Sequence, residues 1–258
     1  MKAKNVIKGF VFLLLLIGVV GYITYVVLNM TDGDPKERCT EVALVVEENP
    51  KASFISKENV EQMLQAARLY PKGKLMKDID PSRIEEVLKK NNFIAQVECY
   101  KTNNGMAVGE GKVCVRVTQR TPVAYILPDG QNGYYVDTEG YVIPNTTYAK
   151  NIITATGKIT QEFATKELAA IGRHLLDNPF WDEMIEQIYV EQNKKGQSVI
   201  TLVPRLGDHT IFLGTPDKLE AKLRRLQIFY EQGFPQVGWN KYSRLNLEYD
   251  NQIVCTKK

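Results

Sequence analysis

The chain has 258 residues, 44% of them hydrophobic and 24% charged, which is enough apolar material for a packed core and a length that suits two modest domains. Its net charge of +3 comes from 33 basic and 30 acidic residues, and setting aside the three leading lysines, Lys2, Lys4 and Lys8, leaves 30 against 30. This balance excludes the basic face of a nucleic-acid binder, and two histidines 35 positions apart, His174 and His209, exclude a His-rich metal site.

Taken in order, the chain begins with a short basic tail, residues 1–9, and the uncharged apolar run Phe10–Leu28. As a helix this run covers roughly 28 Å, about the hydrocarbon thickness of a bilayer. Lysines before it and Asp32 and Asp34 after it place the N-terminus in the cytoplasm and the bulk of the chain outside. The run is longer than the apolar part of a cleaved leader, and Asn29–Gly33 has no small-x-small cleavage site. A retained anchor, 10–30, is therefore expected, and Gly18 and Gly21 lack the four-residue spacing of the usual helix-dimer motif.

A polar linker, 31–38, reaches at most about 28 Å and keeps the next domain near the bilayer. That domain, 39–120, reads β-α-α-β-β. A first strand sets Val42, Leu44 and Val46 against Glu41, Ala43 and Val45. Ser56 and Glu58 open a helix with the stripe Val60, Met63, Leu64, Ala67, closed by Pro71 and Gly73. Asp80 and Pro81 start a second, with Ile84, Val87 and Leu88 inward. Strands over 93–101 and 112–120 follow. Phe93, Ala95, Val97 and Cys99 share one face of the first, and Val113, Val115 and Val117 share one face of the second. This phase puts Cys99 in the core and Cys114 on the opposite face, so the two do not form a cross-strand bridge. Cys39 and Cys114 have compatible faces, Cys255 is expected to be free, and no cysteine spacing suits a metal.

Residues 121–258 read as a β-rich domain with two inserted helices. Strands are expected at 121–127, 134–136, 141–143 and 152–156, with Asp137–Gly140 as a tight turn. A helix spans 161–177, with Phe163, Leu168, Ile171 and Leu175 inward. The hairpin 185–192/198–203 and a strand at 209–213 precede a helix that starts at Thr215-Pro216, carries Leu219, Leu223, Leu226 and Tyr230, and ends at Gly233 and Pro235. A last hairpin pairs 244–249 with 252–256 across Asp250-Asn251.

The chain has no GxSxG, phosphate loop, HExxH or SxxK, and no cofactor is expected. The carboxylates Asp137 and Glu139, or Asp182, Glu183 and Glu186, are the groups a membrane-anchored cell-wall enzyme would need. The first pair reads better as a turn, and the second set as the solvated end of a helix.

Four segments, in order, resemble the FtsQ/DivIB family of bacterial cell-division proteins. Gly73-Lys74-Leu75 through Ile84 is similar to the link between the helices of its POTRA module. Val115-Arg116-Val117-Thr118-Gln119-Arg120-Thr121-Pro122-Val123-Ala124 resembles its V-x-V-x-E-R-x-P-V-A strand. Tyr134–Gly140 resembles its Y-x-V-D-x-x-G hairpin, and Leu245–Asn251 its V-D-L-R-Y-x-N/S segment. Gln119 stands where Glu is usual, Glu248 where Arg is usual, and the loop 102–111 lacks the frequent Trp-Pro. The resemblance implies an α+β protein with one transmembrane helix, a POTRA module and a β domain. It further implies a noncatalytic divisome scaffold at the septum, binding FtsB-like and FtsL-like bitopic proteins and other divisome components, and regulating septal peptidoglycan synthesis. In the family the terminal strand accepts a strand from FtsB. That role falls here on Tyr249, Asn251, Gln252, Ile253, Val254 and Cys255, with Ile253 and Cys255 on one face and Gln252 and Val254 on the other.

Overall fold

The computed structural model describes residues 13–25, 36–103, 110–146 and 151–258. Of the expected membrane run, 13–25 form a helix with exposed apolar side chains, and the remainder lies outside the described residues. No helix among the described residues is long and apolar enough to cross a membrane. The tail 1–9 and most of the linker also lie outside them.

The chain divides into two compact units. One comprises residues up to Val45 with Lys57–Leu88 and Val97–Arg116, and the other Val46–Ser56, Lys89–Gln96 and Val117–Lys258. A three-stranded sheet has the order β1-β3-β2, from β1 (Arg38–Val46), β2 (Ile94–Asn103) and β3 (Glu110–Gln119). Between β1 and β2 come the helices α1 (Lys57–Ala66) and α2 (Pro81–Lys89). Asp80 caps α2 as expected, its Oδ1 accepting from the Arg83 N–H at 3.3 Å, and Ile84 and Leu88 are buried.

Two local expectations change. Helix α1 ends at Ala66 rather than at Pro71 and Gly73, because Arg68 takes φ 58 and the Leu69 N–H turns back to the Leu64 carbonyl at 2.8 Å. Ala67 is consequently exposed. In β2, Ile94, Val97 and Cys99 are buried while Ala95 and Gln96 are both exposed, so the alternation skips one residue there. The phase is regular through β3, with Val113, Val115 and Val117 at 0% exposure and Cys114 on the other face. All four cysteines are free thiols, so Cys39 and Cys114 are not bridged. Burial, with Glu85 nearby, pushes the Cys99 thiol up to about 12.

The second unit holds a nine-stranded sheet of order β12-β11-β10-β9-β8-β7-β4-β5-β6. Its strands are β4 (Pro122–Pro128), β5 (Tyr134–Asp137), β6 (Val142–Ile143), β7 (Ile153–Gly157), β8 (Ile185–Gln192), β9 (Ser198–Pro204), β10 (Thr210–Gly214), β11 (Tyr242–Asn246) and β12 (Val254–Lys257). Where a helix intervenes the neighbours are parallel: β7 with β8, and β10 with β11. Hairpins make β8–β9 and β11–β12 antiparallel.

The first of these helices, α3, runs through Gln161–Phe163, a π-helical turn at Ala164–Leu168, and Ala169–Leu176. A short helix α4 (Pro179–Met184) follows, capped by Asn178 Oδ1 accepting from the Phe180 N–H at 3.1 Å. Asp182 thus belongs to a helix of its own that the periodicity did not reveal, and Glu186 lies in β8. Helix α5 starts at Leu219, after Lys218 at φ 52, rather than at Thr215-Pro216. It also passes Gly233 and Pro235, widening into a π-helical turn at Phe229–Gly233 and continuing through Phe234–Val237 to Gly238 at φ 88. Pro235, which has no N–H to give the preceding turn, lies in the segment directly after this wider turn. The core joins Ile126, Ala155, Ile188, Val190, Ile200, Leu202, Ile211 and Leu245 of the sheet to Leu168, Ile171, Leu223 and Leu226 of the helices.

Candidate interaction site at the β12 edge

Among the described residues the sheet order leaves β12 with one neighbour, β11, and the backbone on its other side unpaired. The two strands are in register with Asn246 opposite Val254, Leu245 opposite Cys255 and Arg244 opposite Thr256. Ile253 and Cys255 pack against the core, whereas Gln252 and Val254 are exposed, Val254 at 44%. Cys255 faces the fully buried Leu245, and burial raises its thiol pKa. The structure therefore separates the six expected residues into two sets. Ile253 and Cys255 anchor the strand, and Tyr249, Asn251, Gln252 and Val254 are presented outward.

The approach to β12 is held by polar contacts. Asn251 turns the chain at φ 59. Asp250 pairs with Lys218 at 2.7 Å, a hydrogen bond that lowers the carboxyl pKa and raises that of the ammonium. From α5, Arg225 donates through Nη2 to the Leu247 carbonyl at 3.0 Å. Beside this turn an open groove of about 410 Å³ is lined by Arg225, Ile228, Phe229 and Gln232 of α5 and by Gln252 and Ile253. The helix side of this groove was missed in the sequence. Ile228 and Phe229 lie off the Leu219–Tyr230 stripe, and that was the available signal.

Two of the four family-like segments meet within the second unit, through Arg120 and Asp137. Arg120 donates from Nη1 to Asp137 Oδ2 at 2.7 Å, with the two side chains 13% and 3% exposed, and its guanidinium lies 3.6 Å from the Tyr141 ring centroid. Asp137 Oδ1 accepts from the N–H groups of Glu139 and Tyr141 at 2.9 and 2.7 Å. Gly140 completes the turn at φ 81, as its spacing predicted. Gln119 accepts from the Phe54 and Ile55 N–H groups at 2.8 and 2.9 Å and donates to the Glu47 carbonyl at 3.1 Å. An ionised Glu could accept those two bonds but could not donate the third, which accounts for the amide at this position. Glu248 is exposed, next to the turn that precedes β12.

Two of the five carboxylates considered for hydrolysis are engaged in ion pairs. Asp137 is buried in its turn and paired with Arg120, and Asp182 pairs with Lys51 at 2.6 Å. Glu139, Glu183 and Glu186 are exposed. Among the described residues no group of three or more His, Cys, Asp or Glu could hold a metal ion.

A small three-stranded sheet with two helices, followed by a wide sheet ending in an edge strand, defines an α+β architecture of the POTRA-plus-β-domain class. Residues 37–118 match the POTRA-like domain, and residues 121–256, more than half of the chain, match the family described as FtsQ/DivIB, C-terminal related. The chain belongs to this FtsQ/DivIB-related family of cell-division proteins, which is generally noncatalytic. No curated protein matches it significantly.

Proposed function

We propose that this protein is a noncatalytic scaffold of the bacterial divisome, anchored in the cytoplasmic membrane through residues 10–28 with its folded domains outside. In this reading β12 accepts a strand from an FtsB-like bitopic protein, an FtsL-like protein joins the complex, and the assembly regulates septal peptidoglycan synthesis. The observation that carries the reading is the position of β12 at the edge of a nine-stranded sheet, next to a half-apolar groove. Strand addition draws affinity from backbone hydrogen bonds and specificity from pockets beside the strand. The exposed apolar helix 13–25 supports the anchor.

Co-purification of the full-length chain with an FtsB-like partner tests the site. Removing residues 254–258 is expected to abolish the complex while the melting transition of the remaining chain persists. A truncated chain that still recovers its partner in full would refute the assignment to β12. Depletion in cells should give filaments without septa, and normal division would count against a division role.

A further inference from the structure

His209 is 2% exposed and lies at the head of β10. Its Nε2 is 2.6 Å from the Tyr230 hydroxyl, and its Nδ1 has no hydrogen-bond partner among the described residues. Either neutral tautomer leaves Nδ1 unsatisfied, as a donor without an acceptor or as a bare acceptor without a donor. The ring sits between Tyr230 and Phe234, at centroid distances of 5.6 and 5.0 Å, and Trp239 stacks on Phe234 at 4.7 Å. A phenylalanine would fill this aromatic box but leave the buried Tyr230 hydroxyl without its partner, so the Nε2 bond accounts for an imidazole here and the unsatisfied Nδ1 is its cost.

The turn over His209 is tied to the end of β12. Gly207, at φ 84, closes against Nδ1 so tightly that an added Cβ would stand 2.7 Å from it. The next residue, Asp208, pairs with Lys258 Nζ at 3.1 Å, and the Lys258 N–H donates to the Lys241 carbonyl at 3.3 Å. Lys258 directly follows β12. The charges acting on the imidazole are those of Lys258 and Asp208. Tyr230 of α5 is the titratable group in direct contact, and Phe234 and Trp239 carry no charge. Burial lowers the imidazole pKa below its ordinary value, Lys258 adds to this, and Asp208 opposes it.

We propose that His209 is a pH-sensitive switch on β12: proton uptake makes both ring nitrogens donors, draws the Asp208 carboxylate from Lys258 to the Nδ1–H, and frees the end of β12. No covalent bond changes. A histidine with a depressed folded pKa contributes stability that is present above its unfolded value, about 6.5, and lost as the pH falls through the folded value. The end of β12 is therefore held at neutral pH and released in acid. The consequence for partner binding rests on the reading of β12 given above; the switch itself does not.

Amide exchange of residues 254–257 in the full chain, held in detergent without any partner, tests the switch separately from partner binding. After correction for intrinsic rates, protection is expected to fall about tenfold between about pH 7.5 and about pH 5. His209→Phe should abolish this fall. An equal fall in that variant, or none in the unmodified chain, overturns the proposal. Asp208→Asn and Lys258→Ala change side chains that are 79% and 39% exposed, so folding is not at stake. Each should show at neutral pH the low protection that the unmodified chain reaches only in acid, and full protection in either one also overturns the proposal.

Discussion

The two edges of the nine-stranded sheet are built on opposite principles. At one end β6 has two residues, Val142 and Ile143, with Ile143 fully buried. The hairpin behind it is locked by the buried Arg120–Asp137 pair. A short edge offers little for another chain to extend. At the other end β12 has four residues, with Val254 exposed and a groove beside the turn that leads into it. Its polar restraints, Lys218–Asp250 and Lys258–Asp208, lie at the surface. One edge is closed by buried chemistry, and the other is kept open by contacts that exchange easily with water.

The largest expected effect breaks the closed edge. Asp137→Ala leaves the Arg120 guanidinium, whose Nε already lacks a partner among the described residues, buried without its counter-charge. A loss of about 3–5 kcal/mol is expected, measured by chemical denaturation. Partner binding at β12 should survive under conditions where the variant is folded.

Gly140→Ala acts on the same hairpin through the backbone. Its φ is 81, and an added Cβ would run into the Thr165 carbonyl, which is main chain and cannot swing aside. About 1–3 kcal/mol should be lost, read as a lower melting midpoint.

The smallest effect sharpens the contrast at the open edge. Lys218→Met removes an ion pair whose members are 58% and 64% exposed, so no measurable change in melting is expected. The Asp250 carboxyl, held low by its hydrogen bond to Lys218, should titrate at a higher pH in the variant, seen by NMR. The pair favours the fold above the ordinary carboxylate pKa, and the benefit disappears as acid takes the pH through the depressed value. A melting shift as large as that of Gly140→Ala would show the two edges to be equally rigid.

Much of this was legible in the sequence because it is local. Strand alternation placed Cys99 inside and Cys114 outside, Asp80 and Pro81 marked a helix start, and Gly140 marked a turn. The ordered motifs pointed to the family. The six residues around 249–255 were legible as a face pattern, since Ile253 and Cys255 share a parity that Gln252 and Val254 oppose.

Contacts between distant residues were decided by the tertiary structure. Nothing in the period of β2 foretells the slip at Ala95-Gln96, and Pro235 ends a helix in one dimension but is absorbed by a π-helical turn once Phe234 has a core to enter. Arg120 and Asp137 are read as two motifs and become one buried pair. Above all, the parallel pairing of β10 with β11 across α5 is what leaves β12 outermost. Periodicity reports which face of an element is buried; which neighbour covers its edge depends on how the whole chain returns on itself.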